Sequence, residues 1–206
     1  SYLPSAMFSL MLNFSTIVVA LAGIVLLREI PTRGQWSGMA LFMVGVIVYF
    51  YPVDLPAGIV RGLIFGAIST LANAGASVIG RHINRRATIQ PFTVTLISMG
   101  IGAFLLLSAG LGTEKTPAIP IEGWAIILWM AIVNTAFAFT LWNLTLRTLS
   151  ATESSTINNT MLIQIAVLAW VFLGESISVQ EGVGLMLAAV GILLVQILRR
   201  PAPSTQ

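Results

Sequence analysis

Residues 24–50, IVLLREIPTRGQWSGMALFMVGVIVYF, and residues 170–196, WVFLGESISVQEGVGLMLAAVGILLVQ, are two copies of one pattern set 146 positions apart. Glu29 falls on Glu175, Gly38 on Gly184 and Gly45 on Gly191. Thr32 falls on Ser178, and Leu27, Leu41 and Val44 fall on Leu173, Leu187 and Val190. The match extends upstream, where Asn13 finds Asn159. Each copy reads as an apolar helix closing on a glutamate, a short turn, and a second apolar helix carrying two glycines. A long-period repeat governs the whole fold, and in membrane proteins weak internal symmetry marks transporters built from duplicated halves.

Composition places the chain in a bilayer. It is 57% hydrophobic and 8% charged, with a mean hydropathy of +0.95, whereas soluble domains carry about 25% charged residues. A net charge of +3 would suggest nucleic acid in a soluble protein. Here the ten basic residues sit between apolar spans, so no nucleic-acid partner is expected and the lipid bilayer is. The chain has no cysteine and a single histidine, His82. Disulfides, thiolate chemistry and a multi-histidine metal site are therefore excluded within one chain, and no cofactor or metal is expected.

Seven segments approach the roughly 20 apolar residues that a spanning helix needs. They are Leu3–Leu27, Trp36–Tyr51, Gly58–Gly80, Pro91–Leu111, Ile121–Leu146, Glu153–Leu173 and Val179–Leu198. Thr32/Gln35 and Ser178/Glu181 have capping-box spacing at equivalent places in the two copies, and Ser150/Glu153 repeats it ahead of the sixth span. Alternating the spans collects Arg28, Arg33, Arg81, Arg85, Arg86, Arg147, Arg199 and Arg200 on one side. Arg61 and Lys115 fall on the other, with Asp54, Glu114, Glu122, Glu175 and Glu181. The positive-inside rule makes the first side cytoplasmic, with Ser1 outside and the C terminus inside. The Glu29 turn is then inside and the Glu175 turn outside, so the copies have opposite topology, as in carriers built around an in-plane pseudo-two-fold axis.

At this point the residues resemble a known family. Trp142-Asn143, Leu149-Ser150-Ala151-Thr152, Leu173-Gly174-Glu175, Gly184 and Gly191 are similar to the C-terminal end of an EamA repeat, the unit of the drug/metabolite transporter superfamily. The earlier copy resembles the same tail, with Arg28 where glycine is more usual. The resemblance implies an all-α polytopic membrane protein, with about seven helices of a ten-helix, five-plus-five inverted-repeat carrier. Residues 1–52 would be the last two helices of the first repeat, 53–198 the second repeat, and 199–206 a cytoplasmic tail. Three further helices would be expected before Ser1, making the chain a fragment of a protein near twice 146 residues. The implied activity is secondary transport of a small organic metabolite or drug across the cytoplasmic membrane, as exporter or exchanger. Amino acids and their derivatives, drugs and sugar conjugates are the family's substrate classes.

Polar residues within spans are the candidates for the cavity, because the bilayer makes them costly. Ser69, Asn73 and Ser77 repeat every four residues beside Gly62, Gly66 and Gly80, on one helical face. Close packing through Gly62 and Gly66 competes with the cavity reading. Asn134 and Trp142 on the fifth span suit an aromatic-lined site, while Trp142 equally suits an interface anchor. Asn158 and Asn159 lie inside the sixth span, and the pair Asn13 and Asn159 could face a central cavity or bond across helices. Glu153 reads as a cap with a favourable helix dipole. Glu29 and Glu175 read as structural, through bonds to the first N–H groups of the following helix. The cluster Arg81–Arg86 suits anionic lipid. No set of residues suggests an enzyme. A seven-helix receptor or a non-transporting scaffold remains the alternative, and a homodimer is compatible with either.

Overall fold

A computed structural model describes residues 5–52, 60–113, 119–174 and 176–198; the expectations for Asp54, Glu114, Lys115, Glu175, Arg199, Arg200 and the tail fall outside them. The described residues are helical and contain no strand. Seven helices result: α1 (5–27), α2 (Arg33–Phe50), α3 (Val60–Asn84), α4 (Pro91–Thr113), α5 (Ile121–Thr145), α6 (Ala151–Leu173) and α7 (Val179–Ile197). Six of them are long and apolar enough to cross a membrane. The exception is α2, whose 18 residues open with Arg33-Gly34-Gln35. At 1.5 Å per residue it is about 27 Å long, just short of a hydrocarbon core of about 30 Å.

The chain forms two compact units, Ser1–Ile79 with Leu149–Gln206, and Gly80–Thr148. This division cuts across the boundary between the repeats. The first unit holds both copies of the pattern, and the second holds α4, α5 and the end of α3.

In the first unit, α2 and α7 lie antiparallel with their backbones in direct contact. A Cβ added at Gly38 would come 2.8 Å from Val195 N, and one at Gly184 would come 2.6 Å from Tyr49 N. A Cβ at Gly45 would strike Ala188 N, and one at Gly191 would strike Phe42 N. Shifting every number by 146 turns each contact into its partner. Reciprocity of this kind is the mark of a two-fold relation, and small residues at such a crossing let two membrane helices approach closely. Around the seam pack Phe42, Met43, Val46, Ala188 and Ile192. Phe42 and Ala188 occupy equivalent positions and are both fully buried, so one large and one small side chain fill the space near the axis.

α1 and α6 repeat one another down to their irregularities. α1 breaks after Asn13, resumes over Ser15–Ala22 and ends in a π-helical turn, Gly23–Leu27. α6 breaks after Asn158, resumes over Met161–Leu168 and ends in a π-helical turn, Ala169–Leu173. The breaks carry the same tight bonds: Phe14 N–H donates to Met11 O, and Thr160 N–H donates to Ile157 O. Both π turns are followed by a left-handed residue, Arg28 at φ 58° and Gly174 at φ 69°. Left-handed backbone is ordinary for glycine and strained for arginine.

All three expected capping boxes form. Thr32 with Gln35, Ser150 with Glu153 and Ser178 with Glu181 each exchange two bonds of 2.7–3.2 Å. Four N–H groups open each helix without an internal partner, and each box satisfies one of them while closing the chain back on itself.

In the second unit, α4 packs against α5, whose middle is a third π-helical stretch, Met130–Phe137.

Candidate functional site

Within the first unit, the structure brings Asn13 and Asn159 together at the two helix breaks. Asn159 Nδ2 donates to Thr16 Oγ1 at 2.5 Å and to Asn13 O at 3.4 Å. Ser155 Oγ reaches Thr16 Oγ1 at 3.4 Å, and Asn13 Nδ2 turns back to Ser9 O at 2.8 Å. All four of Asn13, Thr16, Ser155 and Asn159 are buried. Asn159 ties α6 to α1 where the helical ladder is interrupted, the Asn13 backbone carbonyl accepting from it, and an interruption leaves backbone groups that need such partners. Asn158, one position away, is exposed.

One helical turn earlier, α6 is buried on every side. Ala151 through Thr156 are each at most 7% exposed, although five of the six are polar. Glu153 Oε2 accepts from Ser150 N–H at 3.0 Å, and its Oε1 accepts from the Gln35 amide at 3.2 Å. Gln35 Oε1 in turn accepts from Thr32 N–H at 2.9 Å, so the capping boxes of α2 and α6 are joined by one hydrogen bond. Gln196 of α7 donates to Glu153 O at 3.1 Å. The Glu29 carboxylate accepts from Ala151 N–H at 2.9 Å, the first residue of α6 and 122 positions along the chain. A carboxylate there also meets the favourable end of the α6 dipole.

Along α3, burial follows one row of residues spaced four apart. Gly62, Gly66, Thr70, Ala74 and Val78 form the buried stripe, and Thr70 Oγ1 bonds both Gly66 O and Met11 O. Ser69, Asn73 and Ser77 each precede a buried residue of that row, Thr70, Ala74 and Val78, and lie on the face that carries Gly62 and Gly66. Asn73 is exposed, while Ser69 and Ser77 are half-buried.

In the second unit, Asn134 is exposed on the π stretch and Trp142 is half-buried. The buried polar centre is their neighbour Asn143. Its Nδ2 donates to Thr95 Oγ1 at 3.1 Å and Phe139 O at 3.0 Å, and its Oδ1 accepts from Asn84 Nδ2 at 2.7 Å. Thr140 extends this network to Thr95. Arg81 caps the end of α5 through Leu146 O at 2.7 Å, and Arg147 holds Ile89 O at 2.8 Å. Asn143 belongs to the amides and aromatics that the fifth span offers in sequence, whereas Asn84 and Thr95 carry no such signal. Asn84 sits in the basic stretch Arg81–Arg86 that reads as a connection between helices, and Thr95 is one of several hydroxyl residues on an apolar helix.

Residues 60–197 match the EamA-like transporter family. An uncharacterized transporter of Bacillus subtilis strain 168, YyaM, is 25% identical over 211 residues, spanning 96% of this chain and 67% of that protein. A protein of known crystal structure superposes with a TM-score of 0.79 over 95% of this chain and 68% of its own, at 16% identity. That last likeness is one of fold.

Proposed function

The chain belongs to the EamA-like transporter family, and on that premise we propose that it takes part in secondary transport of small organic metabolites or drugs by alternating access. The observation that carries this reading is the reciprocal glycine seam between α2 and α7, joined to the doubled breaks and π turns of α1 and α6. A carrier alternates when two similar bundles of opposite topology trade positions. The reading places the protein in the cytoplasmic membrane, with the arginine-rich side and the C terminus facing the cytoplasm. Substrate is assigned to the polar groups that packing leaves open in the first unit, Ser69, Asn73, Ser77 and Asn158; in the second unit, taken by itself, Asn134 and Trp142 are the candidates. Asn13 and Asn159 are then positioning residues: the Asn159 amide ties α6 to Thr16 and to the Asn13 backbone carbonyl, and the Asn13 amide donates back to Ser9 O.

The chain's lack of cysteine makes the test direct. Single cysteines are placed from Ser69 to Val78 and exposed to a membrane-impermeant thiol reagent. Positions 69, 73 and 77 should label, and 70, 74 and 78 should stay protected. In proteoliposomes screened against amphipathic metabolites, Asn73→Leu should lower flux by about tenfold, the worth of one lost hydrogen bond of about 1.4 kcal/mol. Uniform protection across the segment would remove the site assignment, and absence of flux for every substrate class would remove the carrier reading.

A further inference from the structure

We propose that Gln35 and Glu153 form the centre of a latch that shuts one end of the first unit, and that its release is the step that opens this end during transport. The inference rests on the carrier reading and adds a named conformational device to it.

Four chain ends meet here, two from each copy. Glu29, just past the end of α1, holds the N-terminal N–H of α6 at Ala151. Gln35, in the first turn of α2, donates to the Glu153 side chain. Gln196, in the last turn of α7, donates to the Glu153 backbone. Thr32 Oγ1, which caps α2, donates to Leu198 O at 2.7 Å. Every one of these bonds joins a residue of the first copy to one of the second, or α7 to α6. Two of the four converge on Glu153, the sole charged side chain among the buried described residues.

The chemistry suits a contact that opens and closes. The two Glu153 oxygens are held by neutral donors, the Ser150 N–H and the Gln35 amide. Such bonds are directional and strengthened by the charge, but they lack the full attraction of a buried ion pair. When the end opens, water can replace the Gln35 amide. Ser154 adds a second bias. Its hydroxyl is fully buried and has no hydrogen-bond partner, a cost that entering water would relieve.

The opposite end of the same bundle cannot form this device. The positions equivalent to Gln35, Glu153 and Gln196 are Glu181, Met7 and Phe50. Methionine and phenylalanine supply neither the carboxylate nor the amide. That end instead has Gln180 donating to Val48 O at 2.9 Å and to Tyr51 O, through exposed groups. Among the described residues, one end has a buried polar bond at its centre and the other has exposed ones, so the backbone symmetry permits two states while the side chains favour one of them.

The test needs no substrate. Ser154→Cys puts the chain's sole thiol next to the latch without touching its bonds, and a membrane-impermeant thiol reagent reports when the end opens. Gln35→Glu keeps an acceptor for Thr32 N–H but sets a carboxylate against Glu153. It should raise the labelling rate by about tenfold or more, the factor for losing one such bond. Adding Glu153→Gln to Gln35→Glu restores a complementary amide–carboxylate pair with its polarity reversed, and labelling should fall back toward the parent. A residue that merely fills space would show no such rescue. If Gln35→Glu fails to fold, Gln196→Leu removes the α7 tie without adding charge and should raise labelling more modestly. Unchanged labelling in a folded variant, or a double variant as reactive as the single, overturns the latch. If the labelling pattern appears but no compound is transported, the latch stands and the carrier reading falls.

Discussion

Helices α1 and α2 on one hand, and α6 and α7 on the other, follow the same backbone path turn for turn. Both paths run from a break at an asparagine, through a π turn and a left-handed residue, to a capping box and a glycine seam. The side chains laid on those paths differ. Gln35 is buried where Glu181 is half-buried, Glu153 stands where the first copy has Met7, and Gln196 stands where it has Phe50. The backbone devices and the caps of α2 and α7 are therefore duplicated, and the long-range polar ties are not. Close helix contact constrains both copies equally, because steric exclusion acts the same way on either side of a two-fold axis. Hydrogen bonds need two unlike groups, so a repeat that gives one copy the donor must give the other the acceptor.

The glycine seam offers the most severe way to break the comparison. Gly45→Ala and Gly191→Ala drive a methyl group into backbone nitrogen, of Ala188 and Phe42 respectively. Backbone cannot rotate aside as a side chain can, so each should cost about 3 kcal/mol. If the two-fold relation is real, the two penalties agree to within about 0.5 kcal/mol, the usual limit of additivity between independent sites. Gly38→Ala and Gly184→Ala should form a second matched pair. Gly75→Ala, where nothing lies within 4 Å, should be neutral or stabilising by up to about 1 kcal/mol through helix propensity. Unfolding free energies in lipid or detergent would decide it. Strongly unequal costs within a pair would show that the copies do not pack as equivalents.

A smaller effect sharpens the same comparison at the caps. Gln35→Ala and Glu181→Ala remove equivalent members of two capping boxes, so each loses a bond to the cap's backbone N–H. Gln35 also leaves a buried carboxylate oxygen of Glu153 without its donor. An unsatisfied buried group costs about 1–3 kcal/mol, whereas loss of an exposed capping interaction costs about 1 kcal/mol. The expected difference in unfolding free energy is about 1–2 kcal/mol against Gln35→Ala. Equal penalties would mean that the Gln35–Glu153 bond contributes nothing beyond the cap.

How much of this could be read in the chain beforehand depends on the range of the interaction. Spans, capping boxes and the 146-residue repeat are local or periodic features, and they appear in the sequence as they do in space. The opposed topology of the copies followed from counting spans and arginines. Long-range polar pairing leaves no such trace. Nothing near Glu29 points to Ala151, and nothing near Gln35 points to Glu153, because hydropathy describes one segment at a time. The side of α3 that packing covers was not legible either: Ser69, Asn73 and Ser77 share a face with Gly62 and Gly66, while the structure buries Thr70, Ala74 and Val78 beside them. The π turns were hidden as well, since GIVLL and AWVFL are as apolar as any regular helical turn.

The mildest test concerns the one place where the copies share a backbone conformation that only one residue type suits. Arg28 and Gly174 both adopt left-handed backbone after their π turns, with the N–H closing onto Gly23 O in one copy and Ala169 O in the other. For a residue with a Cβ this conformation costs about 1–2 kcal/mol. Arg28→Gly removes that strain but adds freedom to the unfolded chain, which takes back part of the gain. The net expectation is a stabilisation of up to about 1 kcal/mol. Gly174→Ala should cost about 1 kcal/mol from backbone strain alone, because an added Cβ there meets no atom within 4 Å. Opposite signs from substitutions at equivalent positions would isolate backbone strain from packing. If Arg28→Gly destabilises instead, the arginine side chain must hold the turn by more than the strain it imposes, and the first copy would keep its arginine for that contact.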